Sequence, residues 1–386
     1  MFEIGAWICV GLIVYTYLGY PVLAAIAGGV GGRAVAKASI QPEVVVVIAA
    51  YNEELEIEQT IRNKLSQNYP ESLLKVLIVS DGSTDSTEAI VQSLVSEFGS
   101  RVNLVRQWPR QGKTQALNLA VSLSKSDVIV FSDANSIYDS SAVRALVQNF
   151  ADRSVGYVTG RMSYRNPTES AVGAGSGTYM GYENTLRQIE TRLGSIVGAD
   201  GGIDAVRREL YVPMRPDQLP DFVLPLSVVQ QGKRVVYEPD AVVYENALSS
   251  ARDEFRMRVR VALRALWAIF DRRALLNPFR HPVFAWQLIS HKVLRYLAFV
   301  PLGGLFALSG AAATSASESN WRWVFGCELL LLLAALCGHY LKDSPAIASK
   351  LRLPYYFAIL NLACLFAFWK FLNRQRMTMW KPRGGA

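Results

Sequence analysis

The sequence predicts an α/β domain built on a mostly parallel, Rossmann-like sheet, joined to α-helical transmembrane segments. Three observations carry that prediction. Between residues 44 and 135, four short apolar runs alternate with helical patterns. Polar residues close those runs, and long apolar stretches lie near both ends of the chain.

The first run, Val44–Ala50 (VVVVIAA), is mostly β-branched and too short to span a membrane, which suits a parallel strand buried on both faces. Tyr51-Asn52-Glu53-Glu54 follows it, then a helical pattern to Leu65. Leu74–Ser80 is the second strand, ending at the turn Asp81-Gly82-Ser83-Thr84, with a helix to about Val95. Val102–Arg106 is the third, followed by Gly112-Lys113 and a helix from Thr114. Residues 127–132 are the fourth, ending in Asp133-Ala134-Asn135. In an open parallel sheet the carboxyl ends of the strands line one crevice, so Asp81, Lys113 and Asp133 are expected to converge there. Two carboxylates and a lysine at a helix start suit a nucleotide diphosphate and its metal. Neither common nucleotide signature is present. No G-x-G-x-x-G follows the first strand, and Gln107 stands where a P-loop needs its first glycine.

Beyond Asn135 the pattern gives a helix over 141–150, a strand over 156–163, and a Gly/Ser/Ala-rich stretch leading into a helix over 182–193. Asp200-Gly201-Gly202 reads as a flexible turn, and the stretch with Pro213, Pro216 and Pro220 as a loop ending at Asp221. A helix over 222–231 and short strands over 234–238 and 241–245 complete the domain. Residues 249–270 form a helix with Phe255, Val259, Leu263, Leu266 and Phe270 on one face and Arg256, Arg260 and Arg264 on a neighbouring one. Such a helix is expected on a membrane surface.

The composition fits a membrane protein with a polar insert: 51% of the 386 residues are hydrophobic and only 19% charged. Apolar runs over 4–30, 284–313, 323–341 and 355–372 each approach the length of a hydrocarbon core. The first begins with Glu3 and no basic residue, so a retained anchor is expected rather than a cleaved signal. Arg33 and Lys37 follow it, which puts the insert in the cytoplasm of a multi-pass cell-membrane protein. The expected division is an anchor over 1–30, an α/β domain over 40–248, an amphipathic interfacial region over 249–283 and a helical bundle of about three segments over 284–386. A net charge of +8, with basic residues beside the apolar runs, points to anionic lipids and a pyrophosphate substrate rather than nucleic acid. Four spans would carry the tail, with Arg374, Arg376, Lys381 and Arg383, across the bilayer against the charge rule. Cys9, Cys327, Cys337 and Cys364 lie in apolar runs without metal-site spacing, and neither disulfides nor zinc is expected.

The ordered set AAYNEE, SDGSTD, GKTQALN and SDAN resembles the family 2 glycosyltransferases, over residues 44 to about 270. The resemblance implies the GT-A fold, a nucleotide-sugar donor (a UDP-sugar), a Mg²⁺ or Mn²⁺ cofactor and a glycan or lipid-linked acceptor. It implies that Tyr51, Glu53 and Asp81 cradle the nucleotide, that Lys113 meets phosphate, and that Asp133 and Asn135 hold the metal. Asn135 stands where the family has a second carboxylate, which weakens the expected metal site. Asp221 is the implied general base, with Asp217 as the runner-up. Arg260 is the survivor of the Gln-x-x-Arg-Trp of processive synthases, meeting the pyrophosphate, while Val261 replaces the stacking tryptophan. Gly201-Gly202 resembles the turn beside the acceptor, and Asp200 offers a hydroxyl ligand. The layout resembles that of hyaluronan, chitin, cellulose and poly-N-acetylglucosamine synthases. Two other readings stay open: single-sugar transfer to a lipid-linked acceptor, and a catalytically silent subunit of a polysaccharide export complex.

Overall fold

The computed structural model describes residues 2–165, 171–246, 250–315, 320–340 and 345–377. Helices α1 (Phe2–Val14) and α2 (Tyr20–Gly31), joined by a π-helical turn, form one apolar rod at the N-terminus. α2 continues through Gly28 to Gly31, at the end of the expected anchor. Beyond it Arg33 and Lys37 turn back onto the α/β domain, where Lys37 meets buried Glu238 at 2.6 Å.

The domain holds one eight-stranded sheet, in the order β3-β2-β1-β4-β7-β6-β8-β5. Its strands are β1 (Val44–Ala50), β2 (Leu74–Ser80), β3 (Val102–Arg106), β4 (Val128–Ser132), β5 (Ile137–Tyr138), β6 (Val155–Tyr164), β7 (Ile203–Arg207) and β8 (Arg234–Glu245). The four runs read from the sequence are the parallel half, β3-β2-β1-β4; β2, β1 and β4 are buried on both faces as largely apolar runs require, while β3 at the edge is mostly half-exposed. Helices α3 (Ile57–Leu65), α4 (Thr87–Phe98), α5 (Lys113–Leu123) and α6 (Ala142–Val147) cover the two faces, and α7 (Ala171–Leu193) and α8 (Pro220–Gln230) close the far half. β7 runs antiparallel to both β4 and β6. That strand was not read from the sequence, where only the turn before it was visible. The two short strands expected over 234–245 are one strand, and the glycine-rich stretch from Ala171 belongs to the helix it was expected to precede.

Helix α9 (Ala251–Asp271) carries the apolar face read from the sequence. Its Val259, Ala262 and Leu263 pack on Ala363 and Ala367 of the last helix, and its Ala265, Ala268 and Ile269 join the core under the sheet. Phe270 of that face remains half-exposed. Beyond it come α10 (Pro282–Leu288), a π turn, α11 (Leu294–Tyr296), α12 (Phe299–Ser315), α13 (Trp321–Tyr340) and α14 (Pro345–Leu372). Residues 2–31, 321–340 and 353–372 are apolar and long enough to cross a membrane, and 282–296 with 299–314 form a pair bent by 57°. α1 packs along α12, and Trp7 meets Trp321 of α13 edge to face.

The tail after α14 turns back onto α9. Arg376 pairs with Asp217 and Asp271 and lies 4.1 Å over Trp267, whose indole donates to the Gln375 carbonyl at 2.8 Å. Gln375 and Arg376 are therefore docked on α9 and on the loop that carries Asp217. Lys381 and Arg383 lie outside the described residues.

Candidate functional site

The carboxyl ends of β1, β2 and β4 meet at the point where the strand order reverses. On the β2 side the rim is built from hydrogen bonds. Asn52 takes a positive φ and accepts from the Thr84 amide at 2.8 Å, tying the loop after β1 to the loop after β2. Glu53 donates its amide to Thr87 Oγ1 at 2.8 Å. Asp81 is buried, with Oδ1 accepting from the Gln107 side chain at 2.6 Å and the Gln111 amide at 2.8 Å, and Oδ2 from the Gly112 amide at 2.8 Å. Asp81 thus folds the 107–112 loop back across the strand ends. That loop sets the Arg110 guanidinium 3.4 Å above the Tyr51 ring and leaves Trp108 exposed beside Gly82. Gly112, at φ 91°, makes the left-handed turn that starts α5 and delivers Lys113.

Lys113 pairs with Asp133 at the end of β4. Burial works against its charge, but Asp133, Asp221 and Glu245 hold its proton more tightly than usual. Beneath the Asp133-Ala134-Asn135 turn lies a cation that the sequence gave no reason to suspect. Lys64 is fully buried, donates to the Ser136 carbonyl at 2.5 Å and stands 3.6 Å over the Tyr138 ring. Ser136 Oγ meets Glu245, the polar residue that closes β8. No group of three or more His, Cys, Asp or Glu side chains is arranged to hold a metal ion among the described residues. The donor set for a divalent cation is one carboxylate and one amide oxygen, Asp133 and Asn135. That set fits Mg²⁺ or Mn²⁺ where substrate phosphates and water supply the remaining oxygens.

The acceptor-side pocket lies between α5, α8 and β7, lined by Lys113, Tyr157, Gly201, Asp204 and Asp221. Asp221 is in the first turn of α8, and Leu219 is the cap residue, so the capping role it would otherwise have is not its own. Gly201 has φ 88°, and a Cβ there would come within 2.5 Å of an Asp221 oxygen, so only glycine admits that carboxylate. Burial pushes the Asp221 carboxyl up, Lys113 and Arg264 pull it back, and Asp133 adds to the rise. Asp200 was expected to face the acceptor. It is instead clasped through both oxygens by buried Arg187, which also donates to the Gly198 carbonyl at 3.2 Å. Asp217 is held by arginine as well: against the upward pull of burial, Arg376 and Arg215 keep its carboxyl below the usual range. The two candidate bases are thus shifted in opposite directions, Asp221 up and Asp217 down. Arg260 lies one turn before Arg264 on α9, and it is Arg264 whose charge acts on Asp221. Gly202 sits against Glu245, with an added Cβ 2.8 Å from its carboxylate.

Comparison with known proteins agrees with this geometry. The profile of glycosyl transferase family 2 matches residues 45–211. The poly-beta-1,6-N-acetyl-D-glucosamine synthase of Staphylococcus aureus is 24% identical over 241 residues, 61% of this chain and 56% of that protein. The beta-monoglucosyldiacylglycerol synthase of Nostoc is 30% identical over 170 residues, 44% of this chain and 36% of that protein. The matched region thus spans about half the length of these relatives, or less. Among solved structures, a mannosyltransferase from Pyrobaculum calidifontis in complex with GDP-Man and Mn²⁺ superposes with a TM-score of 0.73 at 23% identity. That superposition covers 95% of this chain and 99% of the other, and it shows that the fold is shared.

Proposed function

For a chain that belongs to the family 2 glycosyltransferases, we propose an inverting, membrane-embedded enzyme that moves a sugar from a UDP-sugar to a growing polysaccharide. The observation that carries this reading is the apposition of Asp221, Lys113 and Asp133 around one opening at the strand ends. The nucleotide lies against Tyr51, Glu53 and the Asp81-held loop, and Arg110 supplies a planar cation beside the base. Lys113, at the start of α5, meets the diphosphate. Asp133 and Asn135 would hold a divalent cation, which when bound neutralises the departing diphosphate. Asp221, with its proton affinity raised by burial, takes the acceptor hydroxyl proton as the oxygen attacks the anomeric carbon from the opposite face.

Val261 supports a second reading, transfer of one sugar to a lipid-linked acceptor, because it offers no aromatic face to a glycan leaving the site. The docked tail supports three crossings, α1–α2, the α10–α12 pair and α13. These return the chain to the catalytic side, so that α14 lies along α9 at the cytoplasmic boundary. That arrangement also removes the conflict between Arg374, Arg376 and the charge rule.

The test is the full chain in nanodiscs with UDP-N-acetylglucosamine, UDP-glucose and GDP-Man, with nucleotide release and product mass recorded. Turnover of a UDP-sugar into an oligomer series supports polymer synthesis. A single lipid-linked product supports the second reading, and turnover of GDP-Man alone overturns the UDP assignment.

A further inference from the structure

A second carboxyl group shares the pocket of Asp221. Asp204 lies on β7 opposite Phe131 of β4 and Thr159 of β6, with a side chain that is 1% exposed. Its Oδ1 has no hydrogen-bond partner among the described residues, and no salt bridge holds it. The pocket that Asp204 lines is also lined by Asp221, Lys113, Tyr157 and Gly201. A buried carboxylate with one oxygen left without a partner and no cation paired to it is costly unless it carries a proton, so a fold that needed only packing here would be better served by an apolar side chain.

We propose that Asp204 is a positioning residue of the transfer reaction, a second carboxyl whose own ionisation makes Asp221 a stronger base. This rests on the reading of Asp221 as the base. Burial, with the charges of Asp221 and Asp200, raises the Asp204 carboxyl to about 7, while the Thr159 and Tyr157 hydroxyls oppose the rise. Every charged group facing the pair belongs to the site or its supports: Lys113 of α5 and Arg264 of α9 stabilise an ionised Asp221, and Asp133 after β4 opposes it. Asp200, before β7, is already neutralised by Arg187. Tyr138 of β5 also lies within the field of Asp204. Below neutrality Asp204 keeps its proton and adds no charge to the pocket it shares with Asp221. Above it Asp204 becomes a carboxylate, and like charges in one pocket raise each other's hold on a proton. The acceptor hydroxyl then meets a more basic partner. The coupling needs no contact between Asp204 and substrate.

The experiment is the pH profile of nucleotide release by the full chain in nanodiscs, wild type against Asp204→Asn, with whichever of UDP-N-acetylglucosamine, UDP-glucose and GDP-Man is turned over. Wild-type kcat/KM should rise several-fold through about pH 7, above the acid limb set by Asp221. Asp204→Asn should match wild type within about twofold at pH 6 and lose the rise, so that the ratio between the two grows with pH. A variant slower by the same factor at every pH, or one that keeps the rise, overturns the proposal. Should the variant fail to fold, the protonated-carboxyl infrared band of the wild-type protein decides. Loss of a carboxyl band near pH 7 is expected, and a spectrum flat between pH 6 and 8 overturns the assignment. Asp221→Asn separates the two readings: if that variant stays active, the base assignment fails, whereas an inactive Asp221→Asn with an unmoved Asp204→Asn profile defeats the Asp204 proposal alone.

Discussion

The two halves of the site are built by opposite means. On the donor side, Asp81, Asn52 and Thr87 bind backbone amides of neighbouring loops, and the rim is fixed by short, directional hydrogen bonds. On the side proposed for the acceptor, burial dominates: it raises the Asp221 carboxyl against Lys113 and Arg264, and the Asp204 carboxyl against the Thr159 and Tyr157 hydroxyls. The contrast suits the chemistry. A diphosphate donor is bound by preorganised geometry, whereas a base needs a raised proton affinity that a well hydrogen-bonded carboxylate lacks.

The sharpest way to break the comparison is Asp221→Asn. Transfer should fall by about 10²- to 10⁴-fold, the usual weight of a general base, in a nucleotide-release assay. Next in size is Asp81→Ala, which strands the Gln111 and Gly112 amides and frees the 107–112 loop. A loss of about 1–3 kcal/mol, roughly five- to 150-fold in the Kd for UDP by calorimetry, is expected. Asn135→Asp should tighten Mn²⁺ binding several-fold in the nucleotide-free protein, read by paramagnetic resonance, because it restores a charged oxygen ligand.

A smaller effect falls on stability. The folded-state carboxyl of Asp204 lies near 7 and the unfolded one near the ordinary value of about 3.9, so the folded protein binds the extra proton between those limits. Stability should fall as pH rises from about 4 to 7, and in Asp204→Asn that fall should flatten in a thermal melt. Smallest is Arg376→Ala. Its partners Asp217 and Asp271 are partly exposed, and such pairs contribute about 0–1 kcal/mol, so transfer should change less than about threefold.

What the sequence disclosed follows the same divide. The parallel strands announce themselves because a strand buried on both faces must be an unbroken apolar run, and the donor-side residues stand at the ends of those runs. The acceptor side depends on contacts between distant segments. Asp204 sits in an ordinary-looking Ile-Asp-Ala-Val run, and nothing in that run tells that the strand pairs with β4 and β6 under the pocket. Lys64 reads as a surface lysine in an amphipathic helix, yet it is buried beneath the Asp133 turn. Arg187 and Asp200, 13 positions apart, gave no sign of clasping each other. The arginine face of α9 was visible, but its occupant was not, since α14 follows some 90 residues later and covers the apolar side. The docked tail was foreshadowed only by its basic residues.

The separation of the two halves is tested most directly by titrating UDP into Asp221→Asn and Asp81→Ala side by side with the wild-type protein in nanodiscs. UDP should bind Asp221→Asn within about twofold of wild type and Asp81→Ala at least about fivefold more weakly, the lower end of the cost of stranding buried donors. Equal weakening in both variants, or unchanged binding to Asp81→Ala, would contradict the account.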